Sequence, residues 1–201
     1  MKYPILAATL LLGASLSACA MNDDGMGGGM GGGMGASASA DSRVMVGGAE
    51  MYPSRTIVEN AVNSRDHTTL VAAVKAAGLV ETLSGPGPFT VFAPTNDAFA
   101  RLPAGTVDTL LKPENKAMLQ GALAYHVVPG RMTAADLMRA IEAGGGSARL
   151  TTVQGGTLTA RMSGSNIVLV DGRGGTATVT QADVMQSNGV IHVTNAVSLM
   201  G

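Results

Sequence analysis

Apolar positions recur at helical spacing through the first half of the chain and at every second residue through much of the rest. Ile57, Val58, Ala61 and Val62 predict a helix over residues 56–62, and Leu70, Val71, Val74 and Ala77 predict another over 68–78. Asp66 stands where it can cap the second helix, and Gly78 can end it with Leu79 folding back on Val74. The run PFTVFA (88–93) predicts a strand closed by Pro94, after which Thr95 or Asn96 caps a helical turn through Ala98, Phe99 and Leu102. Pro103 ends that turn, and TVDTLL (106–111) predicts one more. Pro113 suits a first helical position and opens a helix through Met118, Leu119, Ala122 and Leu123. That helix runs into YHVV (125–128), which Pro129 and Gly130 terminate. Thr133 and Asp136 form a shortened capping box for ADLMRAIEA, which three glycines end.

After Gly146 the period changes to two. RLTTV, TLTARM, NIVLV, TATVT and VIHVTNAV predict strands, separated by the turn signals QGG, SGSN, DGRGG and QSNG. The pattern leaves the stretch QADVM unassigned. Helices mainly in the N-terminal half and a β-meander in the other predict an α+β domain, with helices packed on an antiparallel sheet or sandwich. The pattern gives one folded domain over 45–201.

The first 44 residues follow different rules. A lone positive charge, Lys2, precedes an apolar run from Pro4 to Leu16 that is too short to span a bilayer, which takes about 20 apolar residues. Leu16-Ser17-Ala18-Cys19 resembles the lipobox of bacterial lipoproteins. That resemblance implies a signal peptide over 1–18, removed before Cys19, and acyl chains on Cys19 that hold the protein to a membrane. Each buried methylene would contribute about 0.8 kcal/mol to that attachment. Residues 19–44 continue as a Gly/Met/Ser-rich tether too poor in burial to fold. About 20 residues of such chain span on the order of 25 Å. Met26, Met30 and Met34 are soft thioether ligands that could suit Cu(I), although no His or Cys stands beside them.

Composition narrows the function classes. A net charge of −1 over 201 residues carries no basic stripe and argues against a nucleic-acid partner. One cysteine excludes an internal disulfide and a cysteine-based zinc site. His67, His126 and His192 fall on three separate elements without metal-ligand spacing, so no metal or cofactor is expected. The chain has no H-E-x-x-H, G-x-S-x-G or P-loop motif, and G-x-G-x-x-A at 172–177 leads into a strand instead of a helix. The sequence therefore predicts no enzyme.

Three blocks, FTVFAPTNDAF (89–99), YHVVPG (125–130) and GVIHVTNAVSL (189–199), resemble in order and spacing the landmarks of the fasciclin domain. The lead-in TIVENAVNSRDHTTLVAAVKAAGLVETL is similar to the opening helices of that family, so the resemblance covers residues 45 to 201. It implies a β-sandwich wedge flanked by helices and a role in adhesion or surface interaction. It also singles out Tyr125 and His126, with Val127 and Val128, as candidate partner-contact residues, because the matching segment is implicated in partner binding in some animal members. The alternative is that His126 bonds inside the domain while Tyr125 packs with its hydroxyl at the rim. His192 is expected to be a hydrogen-bonded core histidine. The expectation is a monomeric binding module, anchored through Cys19 at the outer membrane, at a periplasm-facing membrane or at the cell surface. Its partner would be a protein or a glycan. Three rivals are a passive structural envelope lipoprotein, a metal- or stress-related periplasmic protein using the Met tether, and a hydrolase.

Overall fold

The structure is a computed structural model that describes residues 43–200. Cys19, the signal segment and the Met/Gly tether lie outside the described residues. A hairpin of β1 (Val44–Val46) and β2 (Ala49–Met51) precedes α1 (Ile57–Ala61), α2 (Thr68–Ala77) and α3 (Val80–Leu83). Strand β3 (Phe89–Pro94) is followed by α4 (Asn96–Ala100), α5 (Thr106–Leu110), α6 (Lys116–Tyr125), β4 (Val127–Pro129) and α7 (Ala134–Ala143). The remaining strands are β5 (Ser147–Thr151), β6 (Thr157–Ser163), β7 (Asn166–Val170), β8 (Thr176–Gln186) and β9 (Gly189–Thr194).

The helix ends follow local chemistry. Thr56 with Glu59 and Thr133 with Asp136 form complete capping boxes on α1 and α7, and the Thr95 hydroxyl accepts from the Ala98 amide at α4. Gly78 takes φ 72° at the end of α2, which lets the Leu79 amide return to the Val74 carbonyl at 3.1 Å. The start of α2 departs from expectation. Its Thr69 amide donates to the Asn96 side-chain oxygen (3.0 Å), and the Asn96 amide donates to the Arg65 carbonyl (2.7 Å). Asp66 lies within three-residue 3-10 winding over Arg65–His67 ahead of the helix proper, and a residue from α4 supplies the cap.

Seven strands form one sheet in the order β4-β3-β9-β8-β7-β6-β5. Every neighbouring pair is antiparallel except β3 and β9, which run parallel with Phe89 opposite Gly189 and Pro94 opposite Thr194. The expected α+β fold thus carries one parallel pair among its antiparallel ladders. The two parallel strands are buried almost throughout, as strands covered on both faces must be. The unassigned QADVM stretch belongs to β8. Register shifts at Val179/Gln181 and Gln181/Val184, and Asp183 at φ 57°, break the two-residue period there. The resulting bend lets β8 serve both halves of the sheet. The Val153 amide donates to the Val127 carbonyl at 2.8 Å, tying the chain after β5 to β4 and nearly closing the sheet on itself.

Alternation along the central strands divides the core. Val91, Ala93, Ile191 and Val193 face α1, α2, α3 and α6, while Phe92 and Val128 face α7 and the inner residues of β5 to β8. Leu137 and Ile141 attach α7 to this second cluster.

Candidate functional site

Residues 125–128 leave the last turn of α6 and enter β4 without a loop. Their backbone therefore switches from helix to sheet between the two core clusters. All four are interior: Tyr125 is 2% exposed, His126 5%, Val127 5% and Val128 4%. Val127 pairs with Val91 and packs in the first cluster, whereas Val128 pairs with Thr90 and packs in the second. The expectation of a contact face made by these side chains is not met in this conformation. The physical reason is that β4 lies beside a fully covered β3, which leaves no solvent side for either valine.

Each polar atom in the pair has a structural partner. The Tyr125 hydroxyl donates to the Thr157 carbonyl (2.7 Å) and accepts from the Gly172 amide (3.0 Å). Burial pushes its phenol above the ordinary value, against the bond from Gly172. A Cβ on Gly156 would stand 2.5 Å from the tyrosine ring, so only glycine lets that backbone lie so close. His126 Nδ1 meets the Ala122 carbonyl at 2.7 Å, and Nε2 accepts from the Ser198 amide at 3.0 Å. This pairing assigns the hydrogen to Nδ1. Burial is the main cause holding the ring's pKa below the usual histidine value, and it outweighs the Ala122 bond and the nearby Asp171 carboxylate. A small apolar cavity of about 40 Å³ lies between α1, α2 and β3, with His126 among its lining and Lys75 on its exposed side.

A model of the fasciclin domain matches residues 65–200, most of the chain. The chain belongs to the fasciclin domain family. It is 48% identical over 161 residues to Protein sll1483 of Synechocystis sp., covering 80% of this chain and 82% of that one. It is 35% identical to the pig transforming growth factor-beta-induced protein ig-h3, over 72% of this chain but only 19% of that longer protein. Among solved structures, a FAS1 domain pair from the insect cell adhesion molecule Fasciclin I superposes with a TM-score of 0.67 at 18% identity. The chain covers 52% of the length of that pair, and 74% of the chain is matched. At that identity the likeness shows the fold.

The other two histidines of this fasciclin domain are also interior. His192 Nε2 donates to the Met132 carbonyl (2.8 Å), and Nδ1 accepts from the Asp183 amide (3.3 Å), while its ring stacks on Phe92 with centroids 5.6 Å apart. His67 Nδ1 lies 2.8 Å from the Ser64 hydroxyl, and its buried Nε2 has no hydrogen-bond partner. Burial is the main cause lowering the pKa of both rings. Among the described residues no three His, Cys, Asp or Glu side chains are grouped to hold a metal ion.

Sequence reasoning passed over the asparagines and aspartates that organise the region. Asn188, in the turn before β9, accepts from the Ile57 amide (3.0 Å) and donates to the carbonyls of Leu83 (2.7 Å) and Gly85 (3.0 Å). Asp171 accepts from Arg173 and Gly175 within its own turn and from the Leu199 amide (2.8 Å). Asp183 accepts from the Ala134 amide (2.7 Å) at the start of α7. For Asn188 and Asp171 the one available signal was their position in glycine-containing turn stretches, which read as loop punctuation, while Asp183 in the QADVM stretch gave none.

Proposed function

We propose that this fasciclin domain is an exported binding module, held at the cell envelope through acylated Cys19 and serving attachment to a surface or matrix partner. The observation that carries the reading is family membership, with a fold likeness to the domain pair of an insect cell adhesion molecule. The side chains most suited to acid–base chemistry, the three histidines, are committed to the interior. The lipobox-like Leu16-Ser17-Ala18-Cys19 supplies the anchor, and the partner is a protein or a glycan. Around the 125–128 segment, the contact surface falls to its outer neighbours: Pro129, which is exposed, and Val153, which is 49% exposed and bonded to the Val127 backbone.

Surface attachment by a deletion strain tests this, with complementation by the wild type, Cys19→Ser or Val153→Glu. The expected result is loss of attachment on deletion, rescue by the wild type alone, and release of the Cys19→Ser protein from the membrane fraction. Unchanged attachment on deletion would overturn the adhesion reading in favour of a passive envelope lipoprotein. Rescue by Val153→Glu would remove that face from the proposal.

A further inference from the structure

Residues 195–200 form a strap without helix or strand structure that runs back over the end of α6. Its near end is fixed to the sheet: the Asn195 amide donates to the Thr178 carbonyl (3.1 Å), and the Asn195 side chain accepts from the Thr178 amide (2.9 Å). Beyond that point the Thr194 hydroxyl donates to the Ala196 carbonyl (3.1 Å), a bond within the hinge, and three longer-range bonds hold the rest. Ser198 donates its amide to His126 Nε2 (3.0 Å), Leu199 donates to Asp171 (2.8 Å), and Arg173 Nε donates to the Met200 carbonyl (2.5 Å). Met200 packs over Gly121, where an added Cβ would lie 3.3 Å from the methionine methyl. Ala196 and Met200 lean on the second core cluster beside Tyr125.

We infer that this strap is a proton-operated latch whose trigger is His126. In the closed state Nδ1 carries the ring hydrogen and bonds Ala122, so Nε2 is free to accept from Ser198. A proton taken from solvent by Nε2 gives an imidazolium with donors at both nitrogens. The Ala122 bond persists, but Nε2–H now faces the Ser198 N–H, donor against donor. Residues 196–200 then swing away about Asn195 and uncover the Gly121 and Tyr125 flank of α6, while the sheet stays paired.

The charged groups around the ring are consistent with a switch at this position. From the 171–175 turn, the Asp171 carboxylate favours the cation. Arg173, on the same turn, grips the strap through its backbone. From α2, Lys75 shares the cavity that His126 lines, and Tyr125 meets the ring edge-on with centroids 6.5 Å apart. Of the three buried histidines, His192 accepts from an amide of β8 inside the sheet, and His67 bonds Ser64 three residues away. Only the His126 acceptor bond holds a segment that can leave without breaking a ladder. The inference is independent of the adhesion reading.

Amide hydrogen exchange on the full chain, from about pH 7 to about pH 4.5 and corrected for intrinsic rates, tests the latch. Protection of Ser198 and Leu199 is expected to fall at least about tenfold while β7 and β9 amides change less than about twofold. His126→Gln keeps an acceptor that does not titrate, so its strap protection is expected to be flat with pH. That variant also separates the ring from Asp171, whose carboxylate holds Leu199. Should His126→Gln fail to fold, Met200→Ala weakens the closed strap without touching the ring. By linkage, its His126 should titrate at a higher pH than in the wild type when followed by NMR. Strap and sheet amides opening together at every pH would overturn the proposal. So would a His126→Gln strap with wild-type pH dependence, or a Met200→Ala variant whose His126 titration does not move.

Discussion

Single side chains in this domain hold distant segments together, and Asn188 does so most widely. It satisfies the first amide of α1 and two carbonyls around the end of α3 from a turn more than 100 residues away. Replacing it by alanine leaves three polar groups without partners and should cost about 2–4 kcal/mol, read as a lower denaturation midpoint with an unchanged slope. Tyr125→Phe removes a hydroxyl that bridges Thr157 and Gly172 but keeps the ring. The expected loss is about 1–2 kcal/mol in the same measurement. A loss within error would mean that water replaces both partners. Sequence reasoning identified Tyr125 and His126 as distinctive but could not tell contact from core. An aromatic residue beside a titratable one fits either setting, and what decided between them was the burial of β3 next door. Asn188 was less legible still, because a turn asparagine with local bonds and one with long-range bonds have the same sequence.

At the scale of elements, strongly periodic helices and local caps were readable because both ends of each interaction lie within a few residues. Thr133 with Asp136 and Gly78 with Leu79 behave as their spacing predicts. The start of α2 was not readable in this way, since Asn96 caps it from another helix. Asn96→Ala should therefore destabilise the domain by about 1–2 kcal/mol, although the residue lies outside the helix it serves. An Asp66→Ala variant should cost less than half as much, and the reverse ranking in thermal unfolding would refute the cross-chain cap. The parallel pairing of β3 with β9 was hidden for a related reason. Alternation reveals that a strand exists and which faces are apolar, but not which strand lies beside it.

For the whole molecule, three histidines buried in the neutral form make stability depend on pH. Their folded-state values lie below the ordinary one, burial being the leading cause in each. Above about pH 6.5 both folded and unfolded chains keep them neutral, and their full contribution to stability is present. Below that, the unfolded chain binds protons that the folded one refuses. Stability then falls as pH drops toward the folded-state values, by at most about 4 kcal/mol per pH unit for three groups. Calorimetry should show a level Tm above neutrality and a decline in mild acid. A Tm that rises between pH 6.5 and 5 would contradict the assignment of buried neutral rings. The same parallel pair at the centre of the sheet also governs how the chain can reach its folded state. Phe89 meets Gly189 and Pro94 meets Thr194, so every rung between these two strands joins residues 100 positions apart. Contacts of such long sequence separation form late and slowly, because the intervening loop must first be closed. A chain made from its N-terminus therefore cannot assemble its central ladder until residue 194 is available. Until then the two core clusters lack the strand pair that lies between them.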